Sequence, residues 1–134
     1  MPSEPGRPLK LRLIARAMRG RCPNCGVGRV MTSWFAISER CSACRLRFER
    51  GHDEEHDYWL GAYLLNFIVT EVVFGVGLLV ALLATWPDPP WKLLLYGGGV
   101  FMVLMPIAFY PFSKTLWLAI DLIVRPPQPD DFAP

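Results

Sequence analysis

The sequence predicts a mainly α-helical membrane protein that carries a small N-terminal module built on four cysteines. Three observations predict this fold class. Two long apolar runs occupy residues 60–85 and 93–110, two Cys-x-x-Cys pairs precede them, and eleven of the 14 Lys and Arg residues lie within residues 1–57. Hydrophobic residues make up 52% of only 134 residues, and so short a chain cannot cover two such runs in water.

The two apolar runs predict a transmembrane hairpin across residues 58–111. The first run contains one charged residue, Glu71, and the second contains none. About 20 apolar residues cross a bilayer core as a helix, and the turn between the runs is too short and too rich in proline to form a domain. Because Lys and Arg crowd the N-terminal side of the hairpin, the positive-inside rule predicts that both termini lie in the cytoplasm.

The segments outside the hairpin predict three kinds of peripheral structure. Residues 112–125 predict an amphipathic helix on the membrane surface, since about a dozen residues cannot span the bilayer. Residues 1–19 are predicted to be a basic arm, in which residues 9–18 form either a short amphipathic turn at the membrane surface or a frayed segment. Residues 126–134 are predicted to be a disordered, proline-rich tail. The basic residues favour anionic lipid headgroups of the bilayer as the partner. Nucleic acid is disfavoured, because no aromatic-interleaved binding module accompanies them.

The candidate metal ligands are four cysteines, Cys22, Cys25, Cys41 and Cys44. Their two C-x2-C pairs stand fifteen residues apart, a spacing typical of zinc sites. Two such turns can aim four thiolates at one Zn²⁺, and a closed tetrahedral shell is structural. The interval between the pairs contains enough β-forming residues for a hairpin, so residues 20–50 are predicted to form a zinc ribbon. An all-sulfur shell also suits iron, whereas two disulfides are disfavoured in a reducing cytoplasm.

Three further residues are weaker candidates. His52 and His56 lie four residues apart in the acidic linker 51–57 and predict either a second metal site or, as we favour, a solvated linker. Glu71 lies near the middle of the first predicted span, where carboxylates are costly and usually functional or paired. It either handles protons or a ligand, or bonds in its neutral form across a helix contact or a homo-oligomer contact.

Trp34 and Phe35 are the candidate partner contacts, because they occupy the tip of the predicted hairpin. We expect them to contact either a partner protein or the bilayer surface. Alanine at either position should weaken capture of the partner and leave the zinc content unchanged. No nucleophile–base pair, serine motif or phosphate loop is present, so the sequence does not predict an enzyme.

The order of the motifs along the chain is informative in itself. Cys22-Pro-x-Cys25-Gly26-x-Gly28 and Cys41-x-x-Cys44 are followed by Tyr58-Trp59-Leu60-Gly61-Ala62, two spans, and a run from Tyr110 to Asp121. Over residues 20–125 this order resembles the bacterial membrane family DUF983, a domain of unknown function, although Arg45 stands where many members have glycine. The resemblance implies an inner-membrane protein with a cytoplasmic metal knuckle. Some relatives occur near genes for terminal oxidases, which implies a role in respiratory-complex assembly.

Together these inferences predict a non-enzymatic, inner-membrane zinc-ribbon adaptor or scaffold. Its partner would be another membrane protein or an assembly factor. The alternative is a metal-handling or redox-handling membrane protein, in which the four cysteines bind metal transiently and His52, His56 or Glu71 lies on the transfer path. A structural site would hold one zinc stoichiometrically, whereas a handling site would exchange its metal.

Overall fold

The computed structural model describes residues 7–50 and 55–133, with side chains described for residues 10–50 and 59–133. The described chain is mainly helical, and its four helices are α1 at Arg7–Met18, α2 at Glu55–Thr85, α3 at Trp91–Val124 and a short 3-10 helix at Pro129–Phe132. The four-cysteine module lies between α1 and α2 and consists of turns. The basic arm predicted from the sequence is therefore helical from Arg7 onward.

The predicted β-hairpin of the zinc ribbon is absent from the described residues, which contain no strand. Instead, three isolated antiparallel bridges hold the turns together, and one of them, Met31↔Ile37, falls where the hairpin is predicted. The backbone N–H of Thr32 donates to the carbonyl of Ala36 at 2.9 Å and closes the turn at once. The pairing does not extend because the residues at the tip turn toward α3, where their side chains make other contacts.

Helices α2 and α3 are both long and apolar enough to cross a membrane. At about 1.5 Å per residue, the 27 residues of Trp59–Thr85 extend about 40 Å, which exceeds the thickness of a bilayer core. Most of their large apolar side chains are exposed, and together they form a surface far larger than monomers expose to water. The two helices pack on each other, and Gly61 of α2 lies so close to the Trp117 indole of α3 that a Cβ would overlap it.

Helix α3 continues through Pro111, so the prediction of a separate surface helix at residues 112–125 is wrong. A proline within a helix has no N–H to donate to the carbonyl four residues earlier, and the helix often ends there. In this chain the carbonyl left without its partner is that of Ile107, and the indole Nε1 of Trp34 donates to it at 2.9 Å. This bond replaces the missing backbone bond, and α3 extends to Val124.

The last turns of α3 form the core of the cysteine module. Leu118 and Leu122 are buried in one cluster with residues of the module, namely Cys22, Val30, Cys41, Leu46 and Phe48. On another side of the helix, Ala119 packs against Leu13 and Ala17 of α1. The module and α1 therefore enclose the end of α3, and the segment predicted to lie on a membrane surface is largely buried in protein.

The C-terminal segment is ordered as far as Ala133, so the predicted disordered tail is wrong over the described residues. Phe132 packs against the core of the module. The guanidinium of Arg50 lies between the carboxylates of Asp121, at 3.0 Å, and Asp131, at 2.7 Å. An acidic, proline-rich composition predicts disorder only when the acids have no partner. Here a buried arginine supplies one.

We predict that Arg50→Met lowers the free energy of unfolding by about 3 kcal/mol, because it removes the buried partner of the Asp121 carboxylate. The measurement is thermal and denaturant unfolding of the protein in detergent micelles. Arg125→Met is the matched control, since Arg125 is exposed and its Nε lies 3.8 Å from the same carboxylate. It should cost less than about 1 kcal/mol. Equal losses in the two variants would contradict the prediction.

Candidate metal centre

The four cysteine sulfurs converge on one point. All four Sγ atoms lie within 4.8 Å of one another, with Cys22 and Cys44 separated by 3.8 Å and Cys25 and Cys41 by 3.6 Å. A tetrahedral shell with metal–sulfur bonds of about 2.3 Å requires sulfurs about 3.8 Å apart. A disulfide requires about 2.05 Å, and the four cysteines are free thiols. The cluster can therefore hold a metal ion, and its geometry suits a tetrahedral one.

The two Cys-x-x-Cys turns have the same backbone geometry. In the first, the N–H of Gly26 donates to the carbonyl of Cys22 at 2.8 Å, and in the second the N–H of Arg45 donates to the carbonyl of Cys41 at 3.0 Å. The residue after each pair is left-handed, with φ of +76° at Gly26 and +65° at Arg45. The second turn is thus closed like the first, although its left-handed residue carries a side chain that disfavours this conformation.

The thiols lie in two different environments. Burial raises the pKa of the Cys22 thiol, and burial also raises that of Cys44. Burial acts in the same direction on Cys25, but hydrogen bonds from the backbone N–H groups of Gly28 and Val27 outweigh it and lower the pKa of this thiol to about 6. Backbone N–H groups aimed at sulfur favour the thiolate, which is the form that binds metal.

The cluster has a buried side and an accessible side. Cys22 and Cys41 are fully buried against the α3 core, whereas Cys25 and Cys44 are partly exposed. The side-chain amide of Asn24 donates to the Cys44 Sγ at 3.7 Å. Gly28 packs against the buried side, where a Cβ would overlap the Cys41 sulfur. This contact explains the second glycine of the sequence motif.

Trp34 and Phe35 contact α3. The Trp34 indole bonds the Ile107 carbonyl, and the Phe35 ring lies 5.2 Å from the ring of Tyr110. Both side chains remain more than half exposed. The structure therefore places these two predicted partner contacts along the apolar helix, with surface to spare for a partner or for lipid.

Glu71 lines a cavity of about 420 Å³ between α2 and α3. Asn66 and Thr70 are the polar residues beside it, and the ring of Phe35 covers it from the cysteine module. The structure does not bring Glu71 to the four cysteines. His52 lies outside the described residues, and His56 lies in α2 with its side chain outside them, so the second metal site predicted from these two histidines stays a prediction.

Lys114, which is not among the residues predicted from the sequence, lies where α2 and α3 meet. The Lys114 ammonium is buried and faces three aromatic rings, at 4.7 Å from Trp59, 5.0 Å from Tyr110 and 5.7 Å from Tyr63. Such contacts stabilise a desolvated cation by about 2 kcal/mol. One signal was available, because Trp59 and Tyr63 share a face of α2, and Tyr110 lies one turn before Lys114 on α3.

The fold and the cluster define a class: a two-helix hairpin of membrane-spanning length whose second helix carries a four-cysteine metal-binding module. The family described as "Protein of unknown function (DUF983)" matches residues 31–121, and the chain belongs to this family. The resemblance drawn from the motifs is thereby confirmed. The match includes Cys41 and Cys44, and Cys22 and Cys25 precede it. No curated protein and no solved structure matches the chain.

We predict that Arg45→Gly stabilises the protein by about 1 kcal/mol, because glycine adopts the left-handed conformation of this residue without strain. The measurement is the melting temperature of the metal-loaded protein. Arg45→Ala is the control: it removes the same charge but keeps the Cβ, and it should leave the melting temperature nearly unchanged. A rise of equal size in both variants would attribute the effect to charge.

We predict that Trp34→Phe lowers the free energy of unfolding by about 2 kcal/mol, because it keeps an aromatic ring but removes the indole N–H that donates to the Ile107 carbonyl. Unfolding in detergent micelles measures the change. Trp86→Phe serves as the control, since Trp86 is 77% exposed at the other end of the helices. The metal content should stay constant in both, and identical stabilities would contradict a role for the indole bond.

Proposed function

We propose that this protein is a non-enzymatic adaptor of the bacterial inner membrane, with one structural zinc ion in a cytoplasmic module. Another membrane protein or an assembly factor would be its partner. In this proposal both termini lie in the cytoplasm, as the concentration of Lys and Arg on the module favours. Assistance in assembling a respiratory complex is the form of this role that the family resemblance implies.

The observation that carries the proposal is that two candidate metal ligands also belong to the core. Cys22 and Cys41 are members of the four-cysteine cluster and of the core that packs on Leu118 and Leu122. A metal bound there would fix the module to the end of α3, and removing it would open the core. A metal-handling site that releases its ion to an acceptor would disrupt this core at every release. This coupling of metal binding to folding supports a structural ion.

The adaptor role needs an exposed surface on a rigid support. Val27, between the cysteine Cys25 and the tightly packed Gly28, is 68% exposed on the accessible side of the cluster. Trp34 and Phe35 lie beside α3, at the depth where the bilayer would begin. We therefore assign the protein partner to the side of Val27 and the bilayer surface to Trp34 and Phe35.

The second candidate function is metal handling. One observation favours it: Cys25 and Cys44 are partly exposed, and the pKa of the Cys25 thiol is lowered to about 6, which makes it a ready ligand for an incoming ion. In that case two thiols would remain in the core while the other two exchange metal with a donor.

Elemental mass spectrometry of the purified protein separates the two functions. We predict one zinc per chain that resists a chelator for hours, and a Cys22→Ser variant that loses the zinc together with the thermal transition of the module. Cys25→Ser should retain part of both, because Cys25 lies outside the fully buried core. Ser42→Ala, at an exposed residue of the second turn, is the matched control and should keep the zinc.

Two results would contradict the structural zinc. Iron or copper in the purified protein would show that the site does not hold zinc. Metal that exchanges within minutes, from a Cys22→Ser variant that stays folded, would favour handling. The partner is tested separately, with a photo-crosslinking residue at position 27 in living cells and the same residue at position 86 as the control. Crosslinks to a defined membrane protein from position 27 alone are expected.

A further inference from the structure

Three arginines line a surface pocket where the cysteine module meets α3. The pocket has a volume of about 470 Å³, and Arg19, Arg21 and Arg29 line it. All three are exposed, and in the described part of the chain none of them forms an ion pair. Two other arginines differ in this respect: Arg16 of α1 bonds the carbonyls of Pro23 and Asn24, and Arg50 of the module bonds two carboxylates.

Two of these arginines are held opposite each other. Arg21 and Arg29 form an isolated antiparallel bridge, and like charges directly opposite each other across such a pair destabilise it. The bridge belongs to the first cysteine turn, where the N–H of Cys22 donates to the carbonyl of Gly28 at 2.7 Å. The backbone thus places the two arginines opposite each other at a cost in stability, and an anion bound by both side chains would offset that cost.

The rest of the lining suits a phosphate attached to an apolar group. No carboxylate lines the pocket. The hydroxyl of Ser33 adds a neutral donor beside the arginines, and guanidinium groups with hydroxyls are typical ligands of phosphate oxygens. The lining also includes the aromatic side chains of Trp34 and Phe112. The pocket therefore combines positive charge with apolar surface.

The position of the pocket along α3 matches the surface of a bilayer. Pro111, which lines the pocket, lies twenty residues after the first residue of α3, or about 30 Å along the helix axis. This distance equals the thickness of a bilayer core. If the turn between α2 and α3 lies at one face of the membrane, the pocket lies at the headgroup level of the other face.

We propose that this pocket binds the phosphate headgroup of an anionic phospholipid in the leaflet beside the cysteine module. Arg21 and Arg29 hold the phosphate, Arg19 adds the third positive charge, and Trp34 and Phe112 contact the glycerol and the first acyl carbons. Basic pockets at the cytoplasmic ends of membrane helices take such headgroups. The inference rests on the membrane orientation in the proposed function and does not depend on the identity of the protein partner.

Native mass spectrometry of the full chain, released from detergent micelles with added phosphatidylglycerol, tests the site. We expect one bound phosphatidylglycerol per chain, and about tenfold weaker binding in the Arg21→Gln/Arg29→Gln double variant. The charge-matched control is Arg45→Gln/Arg47→Gln, at two exposed arginines outside the pocket, which should stay within about twofold of the unchanged chain. Arg19→Gln, outside the bridge, should weaken binding about threefold.

Each alternative occupant has its own signature. If the two double variants lose phosphatidylglycerol binding equally, the lipid is attracted by the overall positive charge and not by a defined site, which would overturn the proposal. If phosphatidylcholine binds as tightly as phosphatidylglycerol, the site does not select an anionic headgroup, which would overturn the proposal. Displacement of the lipid by inorganic phosphate at the same concentration would identify a site for the free anion and overturn the lipid assignment. The same spectra report the bound metal, so loss of the structural zinc is distinguished from loss of the lipid site.

Discussion

The packing of the cysteine cluster against Leu118 and Leu122 is the contact on which the rest of the structure depends. About 30 residues of turns cannot bury a core of their own, and small modules of this kind need metal or an external surface. Here the end of α3 supplies the surface, and the four sulfurs supply a metal shell. The module and the end of α3 depend on each other. Without the module the apolar end of the helix would be exposed, and without the helix the module would have no core.

At Pro111, helix α3 depends in turn on the cysteine module. A helix that leaves a membrane at a proline would usually end there, since one carbonyl loses its partner in a medium that offers few others. The Trp34 indole supplies the missing donor and keeps the α3 axis continuous from the apolar part into the cysteine module. The module thus completes the helix that provides its core. Helix α3 joins the cysteine cluster to the hairpin as one continuous element.

The sequence predicts the features that are encoded locally. The two Cys-x-x-Cys pairs and the two apolar runs are patterns within a few turns of chain, and the structure confirms the four-cysteine cluster and two helices of membrane-spanning length. The errors concern contacts between distant residues. Trp34 and Ile107 are 73 residues apart, and Arg50 and Asp131 are 81 apart. No local pattern reveals that an indole would carry α3 through a proline, or that a buried arginine would order an acidic tail.

In the proposed lipid site, Arg21 and Arg29 would connect the cysteine cluster to the membrane surface. They stand immediately before Cys22 and after Gly28, and the backbone bond between those two residues sets their separation. Two guanidinium groups that form no ion pair within the described residues would otherwise move apart, because their mutual repulsion falls with distance. The cysteine turn resists that movement as long as its sulfurs are held together. A metal ion that performs no chemistry would then still determine how well the protein recognises an anion, since it fixes the positions of the groups that bind it.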